Sequence, residues 1–125
     1  MVKLLFIPSY LNGNDGIFNF TYYQLLCGLD LSVFPSYYEP WGYTPLESLA
    51  FGVPTITTSL TGFGLWVRDH SKRKEEAIEI IDRGDFNYSK VVEGVVKKIL
   101  HITHLTDEKR KSLHLAAREI SKIAL

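Results

Sequence analysis

The 125-residue chain is 46% hydrophobic and 13% aromatic, the composition of one globular domain with a single core. Its 14 basic and 14 acidic residues cancel, which excludes the broad positive field of a nucleic-acid-binding protein and leaves any bound anion to be held locally. The lone Cys27 excludes an intrachain disulfide and fits a reducing, cytoplasmic setting, and no segment has the length of a membrane span.

Val2 to Ile7 is almost continuously apolar and is followed by Pro8, which predicts a buried strand; the run is too short for a signal peptide. Asn12 to Gly16 reads as a loop. From about Phe20 to Leu29 the period turns helical, with Tyr22, Leu25, Leu26 and Leu29 on one face and Gly28 as a stop signal. Leu31 to Phe34 reads as a second strand. A helix is expected from Pro45, a residue suited to the first helical position, to about Phe51, with Gly52 ending it. Val53-Pro54 then leads into a β-branched strand, Thr55 to Thr58.

Gly62-Phe63-Gly64 reads as a turn that opens a short helix through Trp66 to His70. Ser71 to Glu76 is charged and loop-like, and Ala77 to Ile81 reads as a fourth strand. From Ser89 a helix carries an apolar stripe of Val91, Val92, Val95, Val96, Ile99 and Leu100, with Lys97 and Lys98 outside it. Thr106 caps a last helix, Asp107 to about Ile123, with acidic residues in its first turn. Strands alternating with helices predict an α/β fold, a Rossmann-like parallel sheet with flanking helices. Three or four strands are few for such a sheet. Residues 1–125 are therefore expected to be a single partial domain, the later part of a larger one in a longer protein.

The chemistry concentrates between the second strand and the helix after it. Pro35-Ser36-Tyr37-Tyr38-Glu39-Pro40-Trp41-Gly42-Tyr43-Thr44-Pro45-Leu46-Glu47 carries two carboxylates separated by seven residues, a glycine turn and a helix start. Open α/β sheets place ligands at such strand-to-helix corners, and a helix N-terminus receives phosphate. On that reading the amides of Gly42, Tyr43 and Thr44 meet a diphosphate, Glu47 accepts from a ribose, and Glu39 stands beside whatever the diphosphate carries. Thr44 and Glu47 also have the spacing of a capping box, so Glu47 has a purely structural reading as well.

Residues 34–47, together with Gly52-Val53-Pro54 and Gly62-Phe63-Gly64, resemble the C-terminal domain of glycogen synthases. The likeness is to the UDP-glucose-using branch within the GT-B retaining glycosyltransferases, and it covers about residues 2 to 65. Glu39 and Glu47 match the E-x7-E pattern of that superfamily. The resemblance implies that Glu39 is the catalytic glutamate near the transferring glucose, acting by electrostatics and positioning. It implies that Glu47 binds the ribose, that the amides of Gly42, Tyr43 and Thr44 bind the diphosphate, and that Tyr22 stacks on the base. By spacing alone Tyr22 reads as helix core.

The resemblance also implies UDP-glucose as donor substrate with no cofactor; the alternatives are an enzyme that uses ADP-glucose or acts on another polysaccharide, and a non-catalytic nucleotide-binding or assembly module with the same corner. It places the glucan acceptor on an N-terminal domain outside this chain. The family's basic partners of the diphosphate fall before Met1, and Arg110 and Arg118 do not make up its regulatory arginine helix, so sugar-phosphate activation is not expected. By itself the chain is expected to bind donor weakly, to catalyse nothing, and to be capable of self-association through a bare sheet surface. No partnership with nucleic acid or membrane is expected. His101, His104 and His114 read as surface histidines rather than metal ligands, and Trp41 and Trp66 as packing residues.

Overall fold

The computed structural model describes residues 1–70 and 77–125. Its elements run α1 (Tyr22–Leu26), β1 (Ser32–Val33), α2 (Tyr43–Ala50), β2 (Thr55–Thr58), α3 (Gly62–His70), β3 (Ile78–Ile81), α4 (Tyr88–Thr103) and α5 (Asp107–Ala124). The three strands form one parallel sheet in the order β1-β2-β3, with Ser32 opposite Thr55 and Thr55 opposite Ile78. This is the Rossmann-like α/β arrangement that the alternation of elements predicts. The loop expected at Ser71 to Glu76 lies outside the described residues.

β2 is the centre of the sheet. All four of its residues are buried, as a middle strand in a parallel sheet requires. Its threonines satisfy their hydroxyls internally: Thr55 Oγ1 donates to Val53 O at 3.0 Å, Thr57 and Thr61 share a bond of 3.3 Å, and Thr58 Oγ1 donates to Ser36 O at 2.7 Å. Ser48 Oγ donates to Ser32 Oγ at 2.8 Å, joining α2 to β1 beneath the surface. Leu46, Leu49, Phe63, Val67, Ala77, Ile78, Ile102, Leu113, Ala117 and Ile120 make the continuous core, so α5 closes over α2. At the end of α2, Gly52 takes φ +82°, and its carbonyl oxygen meets His114 Nδ1 at 2.6 Å.

Four expectations need correction. Val2 to Ile7 is neither a strand nor buried: it lies exposed apart from a half-buried Ile7. Its β propensity finds no neighbouring strand to bond among the described residues, and an unpaired strand is not stable in water. The second strand shrinks from Leu31–Phe34 to Ser32–Val33, because among the described residues β1 pairs with β2 alone. The helix after the corner begins at Tyr43, which puts Pro45 at its third position rather than its first; no N–H is needed there either.

The stripe on α4 is also rotated. The buried side holds Val91, Lys98 and Ile102, while Val92, Val96, Ile99 and Leu100 are exposed. Gly94 explains the rotation, since a Cβ there would sit 3.2 Å from Ile81 Cδ1; its bare backbone lets α4 lie close on β3. Lys98 is carried inward with it and is 8% exposed, its Nζ lying 3.6 Å from Glu79 Oε2.

The core rests heavily on Phe63, which is fully buried at the start of α3. Phe63→Ala is expected to cost about 3–5 kcal/mol, read as a lower midpoint in denaturant unfolding. A shift below about 1 kcal/mol would show that α3 is not part of the cooperative core.

Candidate functional site

The corner between β1 and α2 is built mainly by backbone. Glu39 forms an isolated parallel bridge with Thr61. The Glu39 N–H donates to Leu60 O at 3.1 Å, the Gly62 N–H to Glu39 O at 3.1 Å, and the Phe63 N–H to Trp41 O at 2.6 Å. The segment after β1 is thereby fastened to the segment after β2. Behind it Trp41, Phe63 and Trp66 pack ring on ring, with centroids 5.7 to 6.3 Å apart, and His70 stacks on Trp66 at 4.9 Å. The expectation that Trp41 and Trp66 pack is met.

Gly42 then turns the chain with φ +111° and ψ 69°, a left-handed conformation that disfavours any residue with a Cβ. Being glycine, it caps α2 with no side chain. Pro45 has no N–H, so three amides remain at this helix end: Gly42, Tyr43 and Thr44. None has a hydrogen-bond partner among the described residues. They are the three amides marked in the sequence, and the helix dipole adds positive potential where they lie.

The carboxylates flank this end. Glu39 Oε2 lies 3.5 Å from where a Cβ on Gly42 would stand, and Ser36 Oγ donates to the same oxygen at 3.5 Å. Glu47 sits one turn into α2. The Thr44–Glu47 capping box does not form; that motif appears instead at α1, where Thr21 and Gln24 satisfy each other's backbone. The difference follows from Gly42, which starts α2 two residues earlier and leaves Thr44 inside it. Glu47 Oε1 instead accepts from Tyr23 Oη at 3.1 Å, and Tyr23 stacks on Phe51 at 5.2 Å.

Tyr22 joins this group. Its ring lies 5.4 Å from that of Tyr23, and it lines a groove of 270 Å³ with Leu25, Leu29, Leu31, Val33 and Phe34. Its hydroxyl is buried with no hydrogen-bond partner among the described residues. Burial, then the charge of Glu47 and the neighbouring Tyr23, hold the Tyr22 phenol above its ordinary value. The hydrogen bond to Glu47, followed by that charge, does the same for Tyr23. The structure thus brings Glu39, Gly42, Tyr43, Thr44 and Glu47 into one corner, with Tyr22 beside Glu47.

Sequence reasoning assigned no role to Tyr23 or Arg83. Arg83 follows β3 and reaches the corner from beneath, donating from Nη1 to Pro35 O at 2.5 Å. The signal was a charged residue two positions past a strand, because a parallel sheet gathers all its carboxyl ends at one edge. Among the described residues no group of three or more metal-ligating side chains could hold a metal ion. His101 is exposed, and His104 Nδ1 lies 2.6 Å from Leu100 O. No helix among the described residues is long and apolar enough to cross a membrane.

A three-stranded parallel sheet flanked by helices defines the fold class as Rossmann-like α/β. The family model for glycogen synthase matches residues 1–123. Glycogen [starch] synthase isoform 2 of Saccharomyces cerevisiae is 47% identical over 85 residues, 66% of this chain and 12% of that protein. The glycogen [starch] synthase of Caenorhabditis elegans is 42% identical, and the liver glycogen [starch] synthase of Homo sapiens 41%, each over 83 residues and the same shares of the two chains. The chain belongs to the glycogen synthase family. It spans 12% of the length of these relatives.

Both phenols stay protonated in the folded chain above the pH at which the unfolded chain loses those protons. Their contribution to stability is complete below the ordinary value of 10.0 and is lost as pH rises through the raised folded values. In an alkaline titration followed by tyrosinate absorbance, Glu47→Gln is expected to bring Tyr23 back toward the ordinary value. Tyr22 should follow part of the way, since burial still acts on it. Two unmoved titrations would show that Glu47 does not face these rings.

Proposed function

We propose that this corner is the donor-binding wall of a retaining glycosyltransferase of the GT-B type, which transfers glucose from UDP-glucose to the non-reducing end of an α-1,4-glucan. The observation that carries the reading is the set of amides of Gly42, Tyr43 and Thr44, without a partner among the described residues and flanked in sequence by two glutamates, in a chain of the glycogen synthase family. The diphosphate sits on those amides, each giving a hydrogen bond to a charged oxygen. Glu47 accepts from the ribose hydroxyls while keeping Tyr23 on its other oxygen. Tyr22 offers its ring to the base, and its unpartnered hydroxyl supports a polar neighbour that arrives with the nucleotide.

Glu39 does its work at the glucose. Its carboxylate steadies positive charge that develops at the anomeric carbon as the phosphate leaves. A departing phosphate that takes the acceptor's proton keeps the new bond on the face of the old one, which retains configuration. The acceptor is bound by a part of the whole protein outside this chain, so the chain alone binds donor weakly and transfers nothing.

The test is made in the full-length protein. Glu39→Ala is expected to lower kcat by about 10²–10³-fold, the loss seen when one electrostatic stabiliser of a transition state is removed. Glu47→Ala is expected to raise the donor KM with a smaller change in kcat. Transfer that survives Glu39→Ala unaltered would reduce the corner to a non-catalytic nucleotide-binding module. A strong preference for ADP-glucose over UDP-glucose would remove the donor assignment.

A further inference from the structure

Arg83 is a guanidinium largely withdrawn from water, 9% exposed, that forms no ion pair among the described residues. A buried charge without a counter-charge is costly unless dipoles and hydrogen bonds hold it. Here they do. Nη1 donates to Pro35 O, the guanidinium carbon lies 3.5 Å from the centre of the Tyr37 ring, and the backbone N–H donates to Ser59 Oγ at 3.0 Å. The next carbonyl along the corner, Ser36 O, accepts from Thr58 Oγ1. Two successive carbonyls are therefore fixed by side chains from the ends of β2 and β3. Ser36 then donates from Oγ to the Glu39 carboxylate.

We propose that Arg83 is a positioning residue for the transfer. It holds the Pro35–Glu39 segment from beneath, and so sets the bearing of the Glu39 carboxylate toward the amides of α2. The inference rests on the reading of this corner as the transfer site. It requires an arginine in particular: a lysine ammonium can reach a carbonyl, but it cannot also lie flat over the Tyr37 ring.

In the full-length protein Arg83→Ala is expected to lower kcat by about 10²-fold, the scale of a displacement near 1 Å in a reacting group. The donor KM should stay within about threefold, since the diphosphate amides are untouched. Arg83→Lys should lose about tenfold, and ethylguanidinium added to Arg83→Ala should restore part of the rate. A merely structural arginine would lower the unfolding midpoint and leave kcat per folded molecule unmoved. If Arg83→Ala fails to fold, Arg83→Lys and Tyr37→Leu are read by the same kcat and KM measurements. An unchanged kcat in folded variants, with Glu39→Ala inactive, overturns the role of Arg83 alone. An active Glu39→Ala overturns the reading of the corner on which it rests.

Discussion

The structure of the corner depends on the backbone zipper between Glu39–Trp41 and Leu60–Phe63. Three hydrogen bonds of the chain to itself, each worth about 1 kcal/mol net, bind the loop after β1 to the loop after β2. Without them the first turn of α2 would have no fixed place relative to the sheet. The zipper also explains two glycines. A Cβ on Gly62 would run into the Pro40 carbonyl, and a Cβ on Gly42 would have to adopt a left-handed backbone. Two members of the zipper, Trp41 and Phe63, also pack their rings against each other and against Trp66.

A consequence of that placement is that the uncapped helix start is strongly specified. A helix beginning at Gly42 has no side chain to satisfy its amides, and Pro45 removes the fourth N–H altogether. The more usual solution is present at α1, where Thr21 and Gln24 close a capping box. α2 leaves its amides open while Thr44 and Glu47, at the right spacing to close them, are turned to other uses. Glu47 holds Tyr23, and Thr44 stands in the first turn.

The legible parts of the chain were those whose physics is local. Thr55–Thr58 was readable from β-branched residues behind a proline, α5 from its Thr106 cap, and the end of α2 from Gly52. The corner was readable because glycine, proline and paired glutamates are rare together. What escaped depends on distant neighbours. Val2–Ile7 has the composition of a strand but no strand beside it among the described residues, and Lys98 goes inward where Gly94 admits α4 to Ile81. Arg83 and Pro35 are forty-eight residues apart, and only the parallel order of the sheet brings them together.

Charge limits what this corner can hold alone. Two carboxylates beside a diphosphate repel it, and a helix N-terminus returns only about half a positive charge. Tyr23 softens Glu47 by a hydrogen bond without neutralising it, and Arg83 faces a carbonyl and a ring rather than the open side. On the proposed reading the wall therefore supplies geometry and directed hydrogen bonds, while the cations that balance the donor come from elsewhere in the whole protein. That division suits catalysis in a cleft. A wall that bound the diphosphate tightly by itself would hold substrate and product alike, so on the proposed reading weak binding by this wall alone favours turnover.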